Sequence, residues 1–429
     1  MIRLARATFV ATLATVSAQT VSAQGLASRI DAIQDGRVQF NFAARAGVCG
    51  NGKTYIQTGP NSYTGSFYGN MGDATRMDPC VPGPVRVVID RAERQPISVQ
   101  AYVGPVEVAP GATDLGRVRA QDAADYLLSI STKTEGRAGR DAILPAILAD
   151  SANTAPALVN VAKNQALPRE TRRQALSWMG RSTEGMATIP SSVTDPILAI
   201  ARDETDNQNV RQQALSVLGR LDHGAGIPPL IDLSKQTQSN WLARESMSTL
   251  ARSGDPRARQ YLRTAVRRTD LNEEVLAVAL RALGQEYATA QDAALLRELY
   301  PSLKSDRSRE AVFSAITEIG GAENTRWLLA MAKNENELLA TRRKAADAAS
   351  RAGAPIAELV RLYDTTTDTQ MKETLIGIYI RNGERVAVDR LLSIINTETN
   401  LPVRRNTISR LKGSEDPRIR EALLNIVVR

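Results

Sequence analysis

The stretch RRQALSWMGR beginning at Arg172 returns at Arg211 as RQQALSVLGR, 39 residues later. A single helical hairpin cannot bury its apolar face alone, so a near copy of one amphipathic helix end displaced by about a hairpin's length commits the chain to a stacked array. The small residue of that copy, Ala214, heads a column: Ala175, Ser246, Ala279, Ala315, Ala345, Thr374 and Thr407 match it at intervals of 29 to 39 residues. A larger apolar residue follows in most copies (Leu176, Leu215, Met247, Leu280, Ile316, Leu375, Ile408), and only Ala346 and Ala349 break the size pattern. Gly180, Gly219, Gly284 and Gly320 come next, where the spacing predicts helix-ending glycines. A second amphipathic segment lies between successive copies, as in TDPILAIAR, IPPLIDLSK and TRWLLAMAK.

These patterns predict a mainly α chain, an α-solenoid of about nine helical hairpins over 118–429 with RIREALLNIVVR as a closing helix. At ~8–10 Å between packed helices, the array would extend on the order of 70–90 Å and offer a long concave surface. Aromatic residues make up only 4% of the chain, and frequent Ala and Leu suit tightly stacked helices.

Residues 36–109 follow a different rule. Val38, Phe40 and Phe42 alternate with polar neighbours, as do Ile97, Val99 and Ala101, which is the period of a half-buried strand. PVRVVID, RAERQ and PISVQAYV read as a hairpin, and the whole as a small antiparallel β module. A short segment, 24–35, precedes it, and APGATDLG places a linker at 110–117 before the helices begin.

Residues 1–23 carry Arg3 and Arg6, an apolar run from Ala7 to Val16, and Val21-Ser22-Ala23 as a cleavage pattern. They read as a secretory signal cut near Ala23, giving a periplasmic or secreted protein without a transmembrane segment. Val16-Ser17-Ala18 offers an alternative cut, and the lack of acidic residues before Asp31 also fits a mitochondrial presequence. The two cysteines, Cys49 and Cys80, are therefore expected to pair. Closing their loop would stabilise the β module by about 3–4 kcal/mol in the chain-entropy account.

The segments NVRQQALSVLGRLDHGAGIPPLIDL, ARESMSTLARSGDPRARQYL and TISRLKGSEDPRIREALL resemble HEAT repeats of the short, bilin-lyase-like type, across residues 118–429. Val210-Arg211 and Val403-Arg404 before the small-residue column carry the resemblance, as do the turns Asp255-Pro256-Arg257 and Asp416-Pro417-Arg418. The ankyrin Thr-Pro-Leu-His string and the tetratricopeptide spacing are missing. The resemblance implies an armadillo-like helical scaffold for protein–protein interaction. It brings no activity with it: the His-Glu pairs by which deoxyhypusine hydroxylases hold iron have no counterpart here, and no residue matches a bilin-lyase catalytic group.

The chemistry elsewhere is sparse. GVCGNGKT, Gly47 to Thr54, fits a phosphate-loop pattern, but a phosphate loop needs a helix at its end, and Gly59, Pro60 and Gly65 forbid one. The single histidine, His223, lies in the turn LDHGAG and reads as a solvated loop residue. Asp203, Glu204, Asp206, Glu273 and Glu274 fall at helix ends, where dipole matching accounts for them. Tyr55, Tyr63, Tyr68 and Tyr102 could form a sugar-stacking platform or simply the core and edges of the β module. No catalytic residue, metal ligand or cofactor is assigned.

Basic residues recur at the start of the second helix of several hairpins: Arg172, Arg173, Arg211, Arg244, Arg342, Arg343, Lys372, Arg404 and Arg405. They read either as a structural ladder of guanidinium bonds between helices or as patches that attract an acidic protein or an envelope polysaccharide. A net charge of +8 over 429 residues is too dilute for nucleic acid. The expectation is an exported, non-enzymatic scaffold binding another protein through its concave surface. The alternatives are an envelope enzyme with its site in the β module or its junction with the helices, and a carbohydrate-binding protein.

Overall fold

A computed structural model describes residues 25–59, 62–65, 79–105, 107–134, 136–182, 187–235 and 238–427. The expected signal segment, 1–23, lies outside them. The chain divides into two compact units, Met1–Ala175 and Leu176–Arg429.

In the first unit, helix α1 (Leu26–Asp31) precedes strands β1 (Gly36–Phe42), β2 (Cys49–Gly50), β3 (Tyr55–Gly59), β4 (Ser62–Gly65), β5 (Val85–Ala92), β6 (Gln95–Val103) and β7 (Ala112–Arg117). They form a four-stranded sheet of order β6-β5-β1-β7 and a three-stranded sheet, β2-β3-β4. Register places Val38, Phe40 and Phe42 opposite Ile89, Val87 and Val85, and all six are fully buried. The residues between them make the opposite, more polar face: across β1, β5 and β6 it carries Gln39, Val88 and Gln100 in one row and Asn41, Arg86 and Tyr102 in another. Glu93 and Arg94, both with positive φ, turn the β5–β6 hairpin. Cys49 and Cys80 are disulfide-bonded, as their pairing in the sequence led us to expect.

The supposed linker at 110–117 corrects the sequence reading. Residues 112–117 form β7, which pairs parallel to β1 and makes the sheet mixed rather than antiparallel. ATDLGR shows neither alternation nor β-branched enrichment, so its strand identity comes from β1 and not from its own propensity. The connection into β7 straps the polar face: Ala109 N donates to Gln39 Oε1 at 2.8 Å, and Arg37 donates to Pro110 O.

Helices α2 (Ala120–Lys133), α3 (Arg137–Asp141), α4 (Ile143–Ile147) and α5 (Ala155–Lys163) complete this unit, and α6 (Arg169–Arg181) begins in it. Arg91 is buried on β5 and donates to Tyr126 of α2 and Asp31 of α1, so one guanidinium ties the sheet to both helices.

The second unit is a succession of helical hairpins. Each pairs a first helix with a second: α7 (Ser191–Arg202) with α8 (Gln208–Leu218), α9 (Ile227–Ser234) with α10 (Asn240–Arg252), and α11 (Pro256–Ala265) with α12 (Glu273–Ala282). The alternation continues through α13 (Ala290–Leu299) and α14 (Asp306–Ile319), α15 (Ala322–Lys333) and α16 (Leu339–Arg351), and α17 (Ile356–Thr365) and α18 (Thr369–Asn382). It ends with α19 (Arg385–Thr397), α20 (Leu401–Leu411) and the closing helix α21 (Pro417–Val427). One apolar seam runs from Ala243 of α10 to Ile419 of α21, crossing every hairpin between. Ala279, Ala315 and Ala345 of the small-residue column lie in it, and Ala214, Ser246 and Thr407 are wholly buried as well, whereas Thr374 is only partly buried.

Two of the four glycines end helices as predicted: Gly219 caps α8 and Gly320 caps α14. Gly320 alone of the four has a left-handed φ, at 66°. Gly180, Gly219 and Gly284 also mark close approaches between successive second helices. A Cβ at Gly180 would stand 2.8 Å from Val217, at Gly219 2.5 Å from Thr249, and at Gly284 2.4 Å from the Ala315 Cα.

Two buried carboxylates brace the array. Asp292 caps α13 through a reciprocal bond pair with Thr289, and its side chain is fully enclosed. It accepts from Arg263 of α11 at 2.7 Å and faces Arg259 at 3.8 Å, and Arg259 in turn donates to the Ala282 and Leu283 carbonyls ending α12. Burial pushes the Asp292 carboxyl up, but the Arg263 and Thr289 bonds outweigh it and leave the carboxyl below its ordinary range.

Glu398, after α19, accepts from Tyr363 at 2.7 Å and from Lys372 at 3.0 Å. Burial opposes its ionisation, yet the Tyr363, Asn400 and Lys372 bonds bring its carboxyl down to about 2. A carboxyl lower in the folded than in the unfolded chain adds stability above pH ~4.5 that disappears as pH falls through the folded value. Urea midpoints of the protein and of Glu398→Gln should therefore differ at pH 7 and converge between pH ~4.5 and ~2. A gap that stays constant through that window would remove Glu398 from the pH response.

Candidate interaction surface

The basic row divides by position within each second helix. Counted back from the small-residue column, Arg172, Arg211, Arg342 and Arg404 stand three residues before it, and Arg173, Arg244, Arg343, Lys372 and Arg405 two before it. Successive helical residues are turned by about 100°, so the two sets face different surroundings.

The first set turns inward. Arg172 Nε donates to Ala162 O at 2.8 Å, Arg211 to Ala201 O at 3.2 Å, Arg342 to Ala332 O at 3.2 Å and Arg404 to Ile395 O at 2.7 Å. Each acceptor lies in the last turn of the first helix of the same hairpin, where carbonyls lack intrahelical partners and the dipole favours a cation. Arg211 also stacks on Trp241 of the next hairpin, 4.4 Å from the ring centre. Where the row is interrupted, Ala243, Leu276, Val312 and Met371 fill the same position, Leu276 partly buried and the other three buried.

The second set, apart from the largely covered Lys372, turns outward, and most of it reaches along the array. Arg244 meets Glu274 at 3.3 Å, and Glu274 also accepts from Arg307 of the following repeat at 2.6 Å. Arg343 donates to Thr374 at 2.8 Å and Gln370 at 2.9 Å, while Lys372 meets Glu398. Gln212 donates to Glu245 and Asn406 to Glu373 in the same manner. Arg173 pairs within its own helix, with Glu170. Arg405 is exposed and has no polar partner among the described residues. The outer faces of α8 to α20 thus carry a ladder of side-chain bonds from repeat to repeat. Sequence reasoning found the row but not its two columns, although the doublets Arg172-Arg173, Arg342-Arg343 and Arg404-Arg405 carried that signal.

Other sequence candidates are placed as follows. The segment at 47–54 leads into strand β3 and not into a helix, and Asn51 Oδ1 accepts the Lys53, Thr54 and Tyr55 amides at 3.0, 2.9 and 3.2 Å. Those amides are therefore unavailable to a phosphate. His223 is exposed in a turn with φ 54°, and its carbonyl accepts from Arg257. Glu273 and Glu274 occupy the first turn of α12. Tyr102 packs under Arg86 and donates to Gln100. The side chains of Tyr63 and Tyr68 lie outside the described residues. No helix among the described residues is long and apolar enough to cross a membrane.

Residues 194–284 match the family model for HEAT repeats. Among solved structures, human deoxyhypusine hydroxylase in complex with glycerol is 15% identical, covering 63% of this chain and 96% of that one, with a TM-score of 0.26. The complex of CpcE and CpcF of phycocyanin lyase from Nostoc sp. is 16% identical over 63% of this chain and 95% of that one, with a TM-score of 0.28. A structure of the interaction between cadherin and beta-catenin is 14% identical over 67% of this chain and 62% of that one, with a TM-score of 0.25. No curated protein matches the chain. Superposition this loose says nothing about activity. The hairpins of residues 194–284 are HEAT repeats, and the helix pairs beyond them continue the same alternation to Val427.

Proposed function

We propose that the chain is an exported, non-enzymatic scaffold that holds another protein, of acidic surface, against the outer faces of its second helices. The observation that carries this reading is the cross-repeat ladder. It fixes polar and charged side chains at repeat spacing along α8 to α20, so a partner meets a pre-ordered strip and loses little side-chain entropy of the scaffold on docking. The Cys49–Cys80 bond supports an oxidising compartment.

The two arginine columns give the test. Arg343→Glu with Arg405→Glu should leave helicity and melting temperature nearly unchanged and weaken a cross-linked, mass-spectrometrically identified envelope partner at least tenfold, more at low salt. Arg342→Ala should instead lower stability, by about 1–2 kcal/mol for a lost charge-assisted carbonyl bond. Partner binding indifferent to the double reversal would end this reading, and retention of glycan in place of protein would replace it.

A further inference from the structure

Beside edge strand β6 lies a cavity of about 190 Å³, walled by the 53–56 segment, by Gln100 and Tyr102, and by α3. Three cations reach it, Lys53, Arg137 and Arg140, against a single carboxylate, Asp141. Both guanidiniums rest on that carboxylate, Arg140 at 2.9 Å and Arg137 at 3.5 Å, so one negative charge is divided between two positive ones. Lys53 has no side-chain partner among the described residues.

Two of the neutral groups, Gln100 and Thr54, add donors. Gln100 spends its oxygen on the Tyr102 hydroxyl at 2.8 Å, which leaves its amide N–H groups to donate. Thr54 accepts from Asn51 at 2.9 Å, which leaves its hydroxyl proton free. The cavity is thus rich in donors, has one shared carboxylate, and carries a surplus of two positive charges.

We propose that this cavity binds a small phosphate monoester. A compact dianion neutralises the surplus, and its oxygens accept from guanidinium, ammonium, amide and hydroxyl at one centre. The volume falls below the ~300–1,000 Å³ usual for drug-sized ligands, which excludes a nucleoside triphosphate and leaves room for a phosphate with a few carbons. Side chains make this site. The backbone amides of the glycine-rich turn are already bonded to Asn51, and that bonding holds Lys53 in place.

Calorimetric titration of the whole chain with glycerol 3-phosphate at low salt tests the proposal. One saturable site is expected, with no heat from glycerol. Lys53→Gln and Arg137→Gln, both at exposed positions, should each weaken binding at least tenfold with circular dichroism unchanged. Asp141→Asn should tighten it severalfold by freeing both guanidiniums, a gain that a merely structural role for Asp141 would not give. If Asp141→Asn does not fold, the Lys53 and Arg137 variants decide. Absence of saturable binding, affinity unaltered in those variants, or equal binding of succinate would each overturn the proposal.

Discussion

Replacing Asp292 by alanine should cost the second unit about 3–5 kcal/mol, the usual penalty for removing one partner of an enclosed ion pair. Its carboxylate is fully buried and, among the described residues, is the only one paired with Arg263, at 2.7 Å. Two further losses come with it: the reciprocal cap on α13 and the anchor that holds Arg259 over the end of α12. For a unit of this size the melting temperature should fall by roughly 2–4 °C per kcal/mol. Adding Arg263→Met to Asp292→Ala should recover part of the loss, because the uncompensated charge then goes too. A urea midpoint unmoved by Asp292→Ala, or a double variant no better than the single one, would show that Asp292 does not bind α11 to α13.

The second large effect is steric. At Gly284 an added Cβ would lie 2.4 Å from the Ala315 Cα and 2.6 Å from its Cβ. Backbone cannot swing aside as a flexible side chain can, so Gly284→Ala must part α12 from α14. Overpacking of this kind costs typically ~1–3 kcal/mol, against the modest gain that glycine-to-alanine gives in an open helical site. Gly413, whose Cβ would meet nothing within 4 Å, is the control, and Gly413→Ala should be neutral or slightly stabilising. Trimming Ala315 to glycine should relieve Gly284→Ala only partly, because the clash with the Ala315 Cα and carbonyl persists. Equal stability of the two alanine variants would refute the close-approach account.

How far the sequence could be read depended on whether a feature was repeated. The hairpins, their seam and the Ala214 column were legible because the same local chemistry recurs. The glycines were legible as a column, and Gly219 and Gly320 as helix ends, but the close approaches were not, since a helix-ending glycine and one admitting a neighbouring helix look alike in one dimension. Strand β7 was missed because ATDLGR has no strand character of its own and is held by β1. The cavity beside β6 was not foreseen either. Lys53 belongs to a turn and Arg137 and Arg140 to a short helix 80-odd residues away, and only folding brings them together.

The close approaches at Gly180, Gly219 and Gly284 bear on how such a chain could have grown. Each glycine is matched to a different knob, Val217, Thr249 and Ala315, so the hairpins are not interchangeable despite their common ancestry in form. A duplicated hairpin inserted at random would bring the wrong knob to its glycine or leave a void beside it. Exchange of whole hairpins within this array should therefore require the joint on both sides to move with the segment, which makes the natural unit of shuffling the boundary between two repeats and not the repeat itself.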